Sequence, residues 1–439
     1  MARPPFAAAA AAAACAACVT WGDNGVPDLP PGAPLGRAGA LTLVAHPDDD
    51  LLFVQPDLAD PLADGRGQLT VYVTAGNGLR GVEVADARYD AVIAGYDRLT
   101  GATRDDWACG WIEVAGHTAE HCRLEAARLS LVFLAYPDGG KEGEVPASLR
   151  HLWEAKVERV TTISRRPATY DQRGLIDTVA ALIDTAQPAV VRTLEVASTH
   201  GYDHSDHMLV GALAVLGVAA SHQAPPVVAF RGYSVDAEPA NLAPALYARS
   251  ADALAAYEAC ARGCAPCGRA CADAPLDEDH ARRLARRYAI GQRVRAAGAL
   301  RLGDACVAIS GVGANATFTD CATAPRWQLD ARGALRASTG LCLTALLTGE
   351  IVADTCGQGR PGDRFFLDDD GHLWSGVVPA PRDDMAVAHL GCLGAAGGRP
   401  RVGLCGADHA PTWELAPTMT VTARATAGLS QAGRAVRLA

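Results

Sequence analysis

Basic residues are scarce relative to acidic ones: 39 Lys and Arg against 49 Asp and Glu leave a net charge of −10 over 439 residues. A surface of that sign repels the phosphates of nucleic acids and of anionic membranes, so neither is expected as a partner. Long apolar runs are missing too. The longest, about a dozen small residues inside Met1–Val19, falls well short of the roughly 20 residues of a membrane span, and no transmembrane segment is expected. Methionine is rare at 4 residues, whereas cysteine reaches 14, and its spacing carries information. With 49% apolar and 20% charged residues the chain is globular in composition, which argues against disorder, collagen and coiled coil. Its length predicts two to three domains.

Residues 1–19 combine one arginine with an alanine run and resemble the apolar region of a secretory signal. Ala-Ala-Cys occurs at Cys15 and at Cys18, which offers a lipidated first residue, although the leucine usual three positions upstream is missing. The expectation is a secreted, periplasmic or cell-surface protein, with a lipoprotein anchor as a variant and a low-complexity alanine leader as the alternative. Residues 20–37 hold a proline-rich stretch that cannot be a helix interior or a central strand and read as a linker. Leu41–Ala45, Leu69–Thr74, Leu129–Leu134 and Val190–Leu194 are then apolar runs of strand length, separated by helical patterns at Val84–Tyr96 and Gly174–Thr185. Strands alternating with helices predict an α/β domain over 38–290 with a mostly parallel sheet in a Rossmann-like three-layer arrangement. Ligands of such sheets bind beyond the carboxyl ends of the strands.

From about Ala299 the texture changes to short strand-like pieces in three similar units. They begin at Cys306, Cys342 and Cys392, carry second cysteines at Cys321, Cys356 and Cys405, and close on Trp327, Phe365 and Trp413. Recurrence of this kind marks a repeat architecture. The segment resembles a ricin-type β-trefoil, which implies an all-β domain over 299–417 with each pair of cysteines bridged, followed by a tail at 418–439. It departs from that family at the Gln of Gln-x-Trp, here Pro325, Asp363 and Pro411, and at the sugar-binding Asp, where Ala308, Thr344 and Gly394 stand. The fold signal therefore outlasts the binding signal. A glycan ligand and a structural or docking role are both open.

Ala45-His46-Pro47-Asp48-Asp49-Asp50 follows the first predicted strand, and four ionisable side chains in five residues are costly unless a cation resolves the crowding. Thr199-His200-Gly201-Tyr202-Asp203-His204-Ser205-Asp206-His207 follows the fourth and adds three histidines. Imidazole and carboxylate at two strand ends suit a catalytic divalent ion with an open position.

Together with Thr74-Ala75-Gly76-Asn77 and Tyr136-Pro137-Asp138-Gly139-Gly140, these clusters resemble the PIG-L family of zinc-dependent de-N-acetylases over roughly Arg37 to Tyr257. Asp50 stands where Glu is common. The resemblance implies one catalytic zinc ion held by His46, Asp49 and His207, with Asp48 as general base. It further implies a protonated His204 stabilising the oxyanion, Asp206 orienting an imidazole, Tyr202 as an extra donor, and Arg88 or Arg80 with Asp138 on the substrate.

Cys260, Cys264, Cys267 and Cys271 form a fourth cysteine group, for which disulfides or a bound metal remain open. Cys109 and Cys122 flank a tryptophan-containing stretch and are expected to pair. The resulting expectation is an exported hydrolase that removes the acetyl group from an N-acetylglucosamine-type sugar. The alternatives are a metal-dependent amidase acting on a different amide and a glycan-binding protein with an inactive enzyme domain.

Overall fold

The computed structural model describes residues 29–196, 203–262, 276–377, 390–403 and 411–416. The four apolar runs become strands β1 (Ala40–Val44), β2 (Gln68–Thr74), β5 (Leu129–Tyr136) and β6 (Val190–Leu194). With β7 (Val227–Phe230) they form a parallel series in the order β5-β2-β1-β6-β7. Every residue of β1, β2 and β5 is buried, as expected of strands covered on two faces.

Helices α1 (Val82–Thr100) and α4 (Pro244–Ala261) cover one face, where Tyr89, Val92, Tyr96, Leu254 and Tyr257 share a core with Leu51 and Phe133. On the opposite side, α2 (Gln172–Ala186) and α3 (Ser205–Ala220) pack Val179, Leu182, Leu209 and Leu213 against Leu41, Leu43 and Val132. The local signals at the helix ends are ordinary. Asp171 caps α2 by accepting from the Gly174 amide, and α1 stops at Gly101, whose φ of 77° is costless without a Cβ.

The hairpin β3 (Trp107–Val114) and β4 (His117–Leu124) extends the sheet antiparallel beside β5, and places Cys109 opposite Cys122, where they are bridged. The proline-rich stretch lies against this edge: the Gly32 amide donates to the Trp111 carbonyl, and the Trp111 amide to that of Pro30. Beyond β7 the sheet continues through β8 (Ala289–Arg293), antiparallel to β7 and to Phe365–Asp368, and then through Leu373–Ser375, Gly391–Ala396 and Arg399–Gly403 to a total of 12 strands. A second, 8-stranded curled sheet holds the rest of the β-rich region.

The first and third cysteine-led units share one contact. Trp327 donates its indole N–H to the Val307 carbonyl at 3.0 Å, and Trp413 donates to the Leu393 carbonyl at 2.7 Å. Each acceptor directly follows the unit's first cysteine. In the middle unit the aromatic is Phe365, buried in the same core and without an N–H to donate. Cys306–Cys321 and Cys342–Cys356 are bridged, and Cys260 and Cys392 are also disulfide-bonded, whereas Cys264, Cys267, Cys271 and Cys405 lie outside the described residues. These bridges fit an oxidising compartment. Among the described residues no helix is long and apolar enough to cross a membrane. Trp327→Phe removes a buried donor and part of a buried ring system, and is expected to lower the unfolding free energy by about 1–3 kcal/mol in denaturant titration. An unchanged midpoint would refute the structural weight given to that bond.

Candidate metal centre

Strand order fixes where a site can form. From β1 the chain moves outward to β2 and β5 on one side, whereas β6 and β7 occupy the other, so the connections diverge between β1 and β6 and leave a crevice at their carboxyl ends. Ala45-His46 emerges there from β1. Residues 46–49 turn tightly, with the Asp48 and Asp49 amides donating to the His46 carbonyl, and pass into a π-helical turn at Asp50–Val54. From the other strand the chain enters α3, whose N-cap is His204. This helix is buried from Ser205 to Ala219, apolar around its circumference beyond the first turn, and it anchors His207 rigidly.

Three donor groups converge. His46 Nδ1 lies 3.2 Å from His207 Nε2, His207 Nε2 lies 3.2 Å from Asp49 Oδ1, and His46 Nδ1 lies 3.4 Å from Asp49 Oδ2. Ligands about 2.0–2.1 Å from a tetrahedral ion are separated by about 3.3–3.4 Å; the two imidazole nitrogens lie near that spacing, each faces a different oxygen of the Asp49 carboxylate, and the three residues each offer one ligand atom within 4.8 Å of the others. Two imidazole nitrogens facing each other inside a protein need a proton or a cation between them. The donor set of two nitrogens and one carboxylate suits zinc, and the residues present fit the ion. The other imidazole nitrogen of His207 is 2.7 Å from Asp203 Oδ1, the carboxylate-histidine pairing that fixes the tautomer of a metal ligand.

The electrostatics agree. Burial opposes the charged form of His207, but Asp49 and Asp203 outweigh it and push its pKa up to about 10. Burial likewise opposes ionisation of Asp49, yet His207 and His46 hold it well below the usual carboxylate range. The site is built to keep a negative charge beside a positive one.

Asp48 stands at the rim, its carboxylate 2.7 Å from Arg88. Arg88 also donates through Nε to the Tyr257 hydroxyl at 2.9 Å and through Nη1 to the Gly76 carbonyl at 2.6 Å. Gly76 is required here, because a Cβ would come within 2.6 Å of Arg88 Nη1 and 2.9 Å of Pro47. Arg80, by contrast, is exposed and, among the described residues, bonds within its own loop to Asn77.

Asp138 is delivered by a bulge. One extra residue in β5 shifts its register against β2 between Tyr72 and Thr74, and Ala135 adopts a φ of 59°. The Asp138 amide then donates to Asn77, its carboxylate accepts from the Gly140 amide, and Oδ1 lies 3.7 Å from His204 Nε2.

His204 differs from the expectation in its proton. Its Nδ1 accepts from the Asp206 amide at 3.2 Å, which leaves Nε2 as the protonated nitrogen of a neutral ring. Burial, with His46 beside it, pushes its pKa down to about 4. It is thus a donor without being a cation.

Asp206 accepts from the Gly139 amide at 2.9 Å and approaches His46 Nε2 at 3.5 Å, so it links the Asp138 loop to the first ligand. His46, Asp138, His204 and Asp206 form a second convergent group, but within it Nδ1 of His204 and Oδ2 of Asp206 already have backbone donors. Asp50 points away from the centre and accepts from the Tyr72 and Tyr96 hydroxyls at 2.8 and 2.7 Å; burial, against the pull of those hydroxyls, pushes its pKa up to about 7. It anchors the turn between β2 and α1. Tyr202 lies outside the described residues.

Asp203, Tyr233 and Tyr257 received no role from the sequence. Tyr233 stacks on His207 with ring centroids 5.2 Å apart. Asp203 stood inside the histidine cluster, and its carboxylate four positions before His207 was the available signal. Asp203→Asn should weaken cation affinity by about 10–100-fold, measurable by competition with a chromogenic chelator; an unaltered affinity would remove Asp203 from the site.

The family model described as PIG-L: GlcNAc-PI de-N-acetylase matches residues 41–217, a span that contains all three convergent side chains. Residues 41–217 are a PIG-L family domain. Among solved structures the chain is similar to N,N'-diacetylchitobiose deacetylase from Pyrococcus horikoshii, at 15% identity, covering 50% of this chain and 70% of that one, TM-score 0.33. It is similar to the zinc-inhibited form of teicoplanin deacetylase at 16% identity, covering 51% and 84%, TM-score 0.31. The β-trefoil lectin of Vibrio vulnificus hemolysin/cytolysin, with N-acetyl-D-lactosamine bound, is similar at 18% identity, covering 28% and 94%, TM-score 0.23. No curated protein matches. Within the PIG-L domain, the motif clusters after β1 and β6 supply the group that could hold a metal ion, and the β2 and β5 ends supply its rim.

Proposed function

We propose that the PIG-L domain hydrolyses the acetamide of an N-acetylglucosamine-type sugar or glycoconjugate, with zinc held by His46, Asp49 and His207 and the Rossmann-like sheet as scaffold. The observation that carries this reading is the set of 3.2–3.4 Å separations among those three ligands at two strand ends inside a de-N-acetylase family domain. A divalent cation bound there supplies Lewis acidity, polarising a carbonyl and acidifying water.

The chain's own residues do the rest. Arg88 holds Asp48 through Oδ1, which leaves Oδ2 as the basic atom to take the proton of the attacking water. As the water oxygen bonds to the acetyl carbon, charge develops on the former carbonyl oxygen, and His204 donates to it from Nε2. Such a donor typically contributes about 3–4 kcal/mol. Asp48 then returns the proton to the nitrogen, the C–N bond breaks, and acetate and the free amino sugar leave. Asp206 keeps His46 and the Asp138 loop in register, and Asp138 meets sugar hydroxyls at the rim.

The β-rich region is proposed as a ricin-type trefoil, supported by the repeated tryptophan-to-carbonyl bond. Its middle unit has Thr344 donating to Asp363 at 2.8 Å, so that polar pair is internally satisfied. Export is proposed from the leader and the disulfides.

The test is acetate release from N-acetylglucosamine oligosaccharides by the full chain. Release that stops on chelation and returns with zinc is the expected result; none from any N-acetylated sugar, with metal bound, would overturn the assignment.

A further inference from the structure

Far from the metal centre, a cleft of about 830 Å³ separates the start of α2 and the end of α3 from the β-rich region. Five arginines line it: Arg173, Arg295, Arg332, Arg336 and Arg364, against Asp330 and Asp363. Neither acid forms an ion pair with any of the five among the described residues, although the charge of Asp363 is felt at Arg364. Asp330 accepts from the backbone amides of Arg332 and Ala334, and Asp363 accepts from Thr344 and from Arg360, outside the lining. Of the five, only Arg173 forms an ion pair among the described residues, with Asp177.

Arg364 is the least ordinary. It is 8% exposed, its Nη2 donates to Gln172 at 2.8 Å, its guanidinium lies over Trp153, and its Nη1 is buried without any partner. A buried guanidinium with an unspent N–H and no carboxylate in ion-pair contact is costly unless something outside the chain accepts from it. In a chain of net charge −10, a wall of five guanidiniums is a local inversion of sign, and the planar fork of arginine matches carboxylate and sulfate oxygens two at a time.

We infer that this cleft binds an acidic glycan chain through its carboxylate or sulfate groups. The preference for a glycan over another polyanion rests on the proposed action on sugars. The volume lies in the range of sites that enclose small organic ligands, which fits a few sugar units. At 1.5 Å per residue, Ala220 stands about 20 Å along α3 from His207, so the cleft is an accessory tether rather than part of the reaction site. It would hold a mixed polymer while the metal centre works elsewhere on the same chain or on a neighbour.

The experiment uses the full chain and fluorescently labelled probes: an oligogalacturonate for the carboxylate arm, a heparin fragment for the sulfate arm, a maltohexaose as neutral control, and a DNA duplex of matched charge. At least one acidic glycan should bind, with affinity falling as salt rises, and the neutral sugar should not. Arg332 and Arg336 are exposed, so R332A/R336A keeps the fold; it should weaken binding roughly tenfold or more and leave acetate release from a neutral disaccharide unchanged. Failure of both acidic probes at low salt, wild-type binding by the double variant, or tighter binding of DNA than of either glycan would overturn the inference. Acetate release is read separately, so loss of the deacetylase reading and loss of the tether are distinguishable.

Discussion

Asp48→Asn is expected to lower kcat for the proposed acetate release by about 10²–10⁴-fold while zinc content stays at the wild-type level. The reason is division of labour within five residues. His46 and Asp49 turn inward from the end of β1, whereas Asp48 turns outward to Arg88 and keeps one carboxylate oxygen free. Asparagine preserves shape and the acceptor for Arg88, but it cannot take a proton. KM should move little, since the substituted amide still fills the rim. Activity within a few-fold of wild type would remove Asp48 as the base, and loss of zinc would show that it grips the ion rather than the proton.

Asp49→Ala produces a different failure. The variant is expected to lose both the bound cation and more than about 10³-fold of activity, because Lewis-acid stabilisation worth several kcal/mol disappears with the ion. A second readout is independent of turnover. Zinc at 100 times its Kd stabilises the folded wild type by about 2.7 kcal/mol, seen as a rise in Tm, and Asp49→Ala should show no such rise. His46 and His207 remain 3.2 Å apart in that variant's starting geometry, but without the carboxylate their convergence offers two neutral nitrogens and no charge to balance the cation. Retained zinc with an unchanged Tm response would shift the ligand set to His46, Asp138, His204 and Asp206.

Strands buried on two sides were legible because their sequences are continuous apolar runs, and β1, β2, β5 and β6 lie where Leu41–Ala45, Leu69–Thr74, Leu129–Leu134 and Val190–Leu194 place them. The hairpin β3–β4 was not, since β4 reads His-Thr-Ala-Glu-His-Cys-Arg-Leu and buries Glu120 and His121. Its signal is tertiary: it exists because β5 offers an edge. The convergence of His46, Asp49 and His207 was legible as charge crowded at strand ends. Their partners were not. Tyr233 and Tyr257 act through contacts set by how distant elements meet, and no local pattern marks them, whereas Asp203 stood four positions before His207 in the histidine cluster. The neutral state of His204 likewise depends on a backbone amide that only the start of α3 brings to it.

The sheet does not stop where the repeats begin. β8 joins β7 to Phe365–Asp368, Trp153 donates to the Gly376 carbonyl at 2.8 Å, and Phe366 and Trp374 sit in the same core as Leu41 and Val132. A stop codon after residue 290 would therefore strip one hydrophobic layer and uncover a strand edge, so the truncated product should precipitate rather than behave as a minimal enzyme. In calorimetry the whole chain should melt in a single cooperative step, and cutting it into a catalyst and a detachable accessory would destroy what each half stands on.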